Sequence, residues 1–324
     1  MSSEAPGGGT AAPGQSPRRG WLRRALWTLV GLACFAGALA AVLRSFSGLG
    51  SAPIDLRWPP LAGASLLFAA SFLYSAWLWH DFLRLAGATA TPDRDAGANR
   101  RGDAATWLVS QFGKYVPGHV VLFAIRIGRS RARRAAVVSA VAYEAVFYLA
   151  AALAFAAPVV AVLGGREPTA LDLAPGLLPL GILLIAPRWW HLGLNRLLVL
   201  LRRPALDSPP PERAAVVRLV VRLTGFWLLA GTSFWLFLGA ITEAQPWLVA
   251  TAAMAVAWAA GNLALPVPGG VGVREAGLVV MLAPVLGPEA ATVVAVVHRA
   301  WFTLLEILVS LGGFLILRRR PPAP

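Results

Sequence analysis

The chain has 324 residues, of which 57% are apolar and only 14% charged, with a mean hydropathy of +0.66. A soluble globular domain of this length does not carry that composition, so the chain is read as an all-α, polytopic membrane helical bundle. The formal net charge of +14 does not indicate nucleic acid, because the Arg residues cluster at the ends of apolar runs, where they act as topology signals and lipid-headgroup contacts.

Residues 1–20, rich in Gly, Pro, Ser and Ala, read as a disordered tail ahead of a transmembrane domain over 21–320. Ala25 to Leu43 is long for a signal-peptide core and is followed by Arg44 rather than a cleavage site, which predicts a retained first helix. A full span needs about 20 apolar residues. Candidates are 59–79, 135–163, a short Pro-containing run at 174–187, 219–241 and 290–317. Two further regions, 104–127 and 247–286, are interrupted by Pro-Gly, in QFGKYVPGHV and GNLALPVPGGVGVRE. Aligning Pro117 on Pro268 also aligns Gln111 on Asn262, Val116 on Val267 and Gly118 on Gly269. Paired interruptions in two halves of a membrane protein point to a binding site, since unwound backbone is tolerated at depth only where protein or a cavity covers it.

Loop charge gives the orientation. Arg18, Arg19, Arg23 and Arg24 place the N-terminus in the cytoplasm, and Arg318, Arg319 and Arg320 the C-terminus. Loops 80–103 and 126–134 are both Arg-rich, so both flanks of the first interruption are cytoplasmic; 242–246 and 287–292 carry no Arg, so both flanks of the second lie outside. Two re-entrant hairpins entering from opposite sides make an inverted-topology repeat, with halves at about 59–163 and 219–317. Full crossings by 247–265 and 272–286 would leave the same loop signs. Between the halves, Arg188, His191, Asn195 and Arg202 fall on one helical face, and Trp190, Leu194, Leu197, Leu198 and Leu201 on the other. This predicts a helix lying in the cytoplasmic interface.

Ionisable residues within the apolar regions are costly and mark candidate sites. They are Lys114, the only Lys in the protein, Arg126, Glu144, Arg274, Glu275, Arg299 and Glu306. Glu144 and Arg299 each lie about nine residues into helices that start on opposite sides, ~13 Å deep at 1.5 Å per residue, so a pair between them is geometrically allowed. Lys114, Arg126 and Arg274 flank the breaks, where half-helix dipoles and free N–H groups would receive a lipid phosphate; the plainer reading has them snorkelling to the interface. Glu275 beside Arg274 reads as a local ion pair, and Glu306 as a structural hydrogen-bonding group. Trp77, Trp79, Trp189, Trp190 and Trp247 read as interfacial belt residues. His80, His119, His191 and His298 lack metal-ligand spacing, Cys34 is the only cysteine, and no nucleotide or cofactor motif is present; no metal, cofactor or catalytic residue is expected.

Lys114-Tyr115-Val-Pro117-Gly118 with Arg126 and an Arg-rich loop, then Pro266-Val-Pro268-Gly269-Gly270-Val-Gly-Val-Arg274-Glu275, then His298-Arg299, resemble the lysylphosphatidylglycerol synthase transmembrane-region, or flippase-like, family over roughly residues 20–320. The resemblance implies movement of an aminoacylated phospholipid between leaflets, with a soluble domain making that lipid; no such domain is expected here, so synthase activity is not carried over. In the family the Glu after the first motif is often followed by Arg, whereas here Glu144 precedes Ala145, which makes Arg299 the expected partner of Glu144.

The leading expectation is a non-enzymatic lipid translocator of the inner membrane, binding an anionic or phosphate-bearing headgroup through Lys114, Tyr115, Pro117, Gly118, Arg126, Glu144, Pro268, Gly269, Gly270, Arg274, Glu275 and Arg299. Its partners are the membrane lipid itself and, as a candidate, a separate lipid-modifying enzyme. The alternatives are a secondary transporter of a small solute and a membrane-embedded lipid glycosyltransferase; for the latter Asp55, Asp172 and Glu243 are too isolated to form a site.

Overall fold

The computed structural model describes residues 56–88, 96–115, 120–130, 132–200, 205–206, 208–243, 245–264 and 267–318. The expected tail at 1–20, the first helix at 25–43, and Pro117 and Gly118 lie outside the described residues. Among the described residues, four helices are long and apolar enough to cross a membrane. They are α1 (Trp58–Leu85), α4 (Arg134–Ala156), α8 (Arg213–Ile241) and α11 (Pro288–Arg318). Each begins where the sequence supplies a start. Pro59 and Pro60 stand in the first turn of α1, where missing N–H groups cost nothing, and Pro288 opens α11. The run expected at 135–163 ends instead at Ala156, because Pro158 interrupts the hydrogen-bond ladder and leaves a five-residue helix, α5 (Val159–Leu163).

Two pairs of shorter helices hold the interruptions. The first is α2 (Ala96–Ser110), a 3-10 turn at Gln111–Tyr115 and α3 (Val120–Arg129); the second is α9 (Trp247–Leu263), a 3-10 turn at Pro268–Gly270 and α10 (Val273–Leu286). Their lengths of 15, 10, 17 and 14 residues give arms of ~15 to 26 Å, each short of a ~30 Å hydrocarbon core. In both units the chain folds back on itself, and glycine permits the approach. A Cβ on Gly113 would stand 2.3 Å from the Leu122 nitrogen, and one on Gly270 would stand 2.8 Å from the Gly261 carbonyl oxygen.

The packing of the two halves is reciprocal. α1 lies along α8, α11 packs on α2, and α4 packs on α9, so the last long helix of each half covers the first short helix of the other. Phe68, Phe72, Trp79, Phe147, Trp227 and Phe237 fill the seams. At one end of the α1–α8 seam the Asp81 carboxylate accepts from Arg100 at 2.9 Å and from Arg222 at 2.5 Å.

Between the halves, α6 (Leu177–Ile185) is only nine residues long, and α7 (Pro187–Leu200) leaves it at 94°. Ala186 precedes Pro187 and adopts φ −127°, ψ 54°, outside the helical region that a following proline disfavours. A helix therefore covers 188–200 of the run expected at 188–204, with Leu201 and Arg202 outside the described residues, and His191 of its expected polar face turns inward. His191 is buried and its Nδ1 lies 2.9 Å from the Tyr143 hydroxyl, while Asn195 accepts a 2.7 Å bond from the Leu206 N–H. Leu197, Trp189 and Leu192 are exposed, while Trp190, Leu194 and Leu198 pack against the core. A buried Tyr143 hydroxyl needs partners, and His191 and Ser208 supply them, so His191 turns inward while Arg188 of the same side stays exposed.

Candidate functional site

The two interruptions meet, and the sequence around each explains how. Val-Pro-Gly-Gly-Val-Gly supplies left-handed backbone at Gly269 (φ 60°), Gly270 (φ 64°) and Gly272 (φ 83°). A residue with a Cβ is strained at such angles. A side chain on Gly269 would stand 3.1 Å from the Tyr115 ring, so the phenol of the first break rests on the bare backbone of the second. Above them runs α11, whose Arg299 donates through Nη1 to the Gly269 carbonyl at 3.3 Å. Two turns further along the same face, Glu306 accepts a 3.0 Å bond from the Tyr115 hydroxyl and pairs with Lys114. One helix thus grips both breaks.

The second break brings two more charges. Arg274 crosses the face of α9, where a Cβ on Gly261 would collide with its Cγ, and its guanidinium lies 5.9 Å from the centre of the Phe302 ring. Lys114 approaches the same ring at 5.3 Å. Glu275 caps α10 by accepting the Gly272 N–H at 2.6 Å through Oε2, while Oε1 stands 3.4 Å from Arg299 Nε. Lys114, Arg274 and Arg299 are close enough to repel one another. Among the described residues the junction therefore joins three cations to two carboxylates. Arg299 is 5% exposed and its Nη2 has no hydrogen-bond partner; Arg274 Nε is likewise sealed and unbonded. A small pocket lined by Trp258, Arg274, Glu275, His298, Arg299 and Phe302 opens beside them, with about 20 Å³ accessible to water, room for about one molecule. The chemical capacity is that of two fixed guanidinium donors lining a small cavity at an unwound backbone, with the Lys114 ammonium also against the Phe302 ring and positive charge in excess.

Arg126 and Glu144 form a separate site. They pair with each other, which corrects the expected Glu144–Arg299 pair. Glu144 also accepts from Trp107 Nε1 at 2.7 Å, Arg126 Nε donates to Ser110 at 3.0 Å, and the Arg126 guanidinium stacks 4.4 Å over Trp79. The physical reason is that α3 folds back beside α4 and carries Arg126 to Glu144, whereas Arg299 faces the glycine break. Of the residues expected at the site, Lys114, Tyr115, Gly269, Gly270, Arg274, Glu275 and Arg299 come together; of Pro268, the backbone turn alone is described. Glu306, which the sequence marks as a structural hydrogen-bonding group, is the acceptor shared by Lys114 and Tyr115. Its seven-residue spacing from Arg299 was the available signal, since that interval returns a helix to the same face. Among the described residues no group of His, Cys, Asp and Glu could hold a metal ion.

The family model of the lysylphosphatidylglycerol synthase TM region matches residues 25–310. The chain belongs to this family and is a multi-pass membrane protein. No curated protein and no solved structure matches it.

Proposed function

We propose that this protein is a non-enzymatic translocator that carries a lipid with an anionic, phosphate-bearing headgroup between the leaflets of the inner membrane. The headgroup enters the junction of the two breaks while the acyl chains remain in the bilayer. The observation that carries this reading is the pair of buried guanidinium donors without partners, Arg274 Nε and Arg299 Nη2, in a junction with surplus positive charge. A buried charge left uncompensated is strongly unfavourable, and an incoming phosphate relieves it. Short arms that fold back, Arg-rich flanks on the first unit and Arg-free flanks on the second support two re-entrant hairpins in inverted orientation, with both termini cytoplasmic. The reciprocal packing of the halves supports a repeat whose rocking alternately exposes the junction.

Reconstitution into vesicles with fluorescent lipids tests the proposal. The wild-type protein is expected to accelerate leaflet exchange of an anionic phospholipid, and Gly269→Val, which inserts a side chain against Tyr115, to abolish it without loss of insertion. Exchange at the rate of empty vesicles by the wild type, or full activity in the variant, would sink the reading.

A further inference from the structure

We infer that the junction is matched to a headgroup bearing one negative charge, a phosphodiester, and that a doubly charged phosphomonoester enters only with a proton bound at Glu306. This deepens the translocator reading and rests on its assignment of the junction to the headgroup.

The inference comes from counting charge in a place where charge cannot be diluted. Among the described residues, Lys114, Arg274 and Arg299 face Glu275 and Glu306, an excess of one positive charge. Glu306 is 2% exposed. The charged and titratable groups around it are Lys114 and Tyr115 from the first break, Arg274 and Glu275 from α10, and Arg299 and His298 on its own helix. The contacts made to this part of α11 by α1 and α8 are aromatic: Phe68 meets Phe302, and Phe234 and Phe237 meet His298. Net charge in so dry a place is costly. One phosphodiester brings the sum to zero. A dianion leaves it at minus one, and one bound proton restores neutrality.

Geometry selects Glu306 over Glu275 as the proton's place. Glu275 is already committed to the N-terminus of α10, where its Oε2 accepts the Gly272 N–H at 2.6 Å. Glu306 is held by side chains alone, Lys114 and Tyr115. Protonation there releases the Lys114 ammonium toward the second phosphate charge, and the Tyr115 hydroxyl retains a hydrogen-bonding partner.

The test measures binding of phosphatidylglycerol and phosphatidic acid with identical acyl chains to the full chain in detergent, at about pH 8, above the second ionisation of a phosphomonoester. The wild type is expected to prefer the diester by about tenfold or more, the scale of one charge-assisted hydrogen bond. Binding of the monoester should take up a proton, read as heat that depends on the buffer's ionisation enthalpy. Glu306→Gln raises the excess to two positive charges and should reverse the preference while abolishing that proton uptake. Glu275→Gln makes the same change of charge elsewhere and should move the preference in the same direction. Equal affinity for both lipids in the wild type, or an equal loss for both lipids in the two variants, overturns the charge match. Inorganic phosphate that displaces the lipid at equal concentration overturns the lipid assignment. Leaflet exchange measured in parallel separates the two ideas: selective binding without exchange sinks transport alone, and exchange without charge preference sinks the charge match alone.

Discussion

Two buried ionic sites among the described residues use similar side chains and differ in whether their charges balance. At Arg126–Glu144 one cation meets one carboxylate; both Glu144 oxygens are engaged, and Arg126 is further satisfied by Ser110 and the Trp79 face. At the junction of the breaks three cations meet two carboxylates, and guanidinium nitrogens remain unbonded. A saturated pair at depth fixes how helices stand, since breaking it strands a charge. An unsaturated cluster is one that an incoming anion would complete. On the proposed reading, intramembrane charge marks function through its unmet part, rather than through its presence.

The largest effect expected from this contrast falls on stability. Glu144→Ala leaves Arg126 buried and unpaired, and should cost about 3 to 5 kcal/mol in unfolding free energy, seen as a lower thermal midpoint in detergent. Replacing both partners with Leu should recover most of that loss. A double variant as unstable as the single one would show that Arg126–Glu144 does more than hold α3 against α4.

The next effect falls on ligand. Arg299→Gln should weaken binding of an anionic lipid by roughly 1.5 to 3 kcal/mol, about 10- to 150-fold. Its unfolding free energy should move by no more than about 1 kcal/mol, because one cation remains for each carboxylate at the junction. A large loss of stability with unchanged lipid affinity would erase the distinction between the two sites.

The smallest effect belongs to a third ionic contact, nearer the surface. Arg222 is bonded to Asp81 but its side chain is 42% exposed, so Arg222→Gln should change stability by ~1 kcal/mol or less, and by less again in high salt. A larger, salt-independent loss would show that the α1–α8 seam depends on this bond and that partial exposure is a poor guide to its worth.

Much of the architecture was legible because it rests on local or compositional signals. Apolar runs located α1, α4, α8 and α11. Proline and glycine located the breaks, and the motif residues around them suffice to recognise the family. The left-handed backbone at Gly269 and Gly270 is likewise a local matter, since the permission for it belongs to the residue itself.

Partnership was a different matter, and there the tertiary structure decided. Depth along a helix allowed Glu144 to meet Arg299, but depth says nothing of azimuth, and the fold-back of α3 brings Arg126 to Glu144 instead. Tyr115 and Glu306 lie 191 residues apart, joined only because α11 crosses the first break. His191 looked like part of an outward polar face until the Tyr143 hydroxyl claimed it. Helix-forming tendency, chain breaks and hydrophobic length belong to each segment and are written in its residues. The neutralisation of a buried charge depends on which faces distant segments turn toward one another, and packing alone sets that.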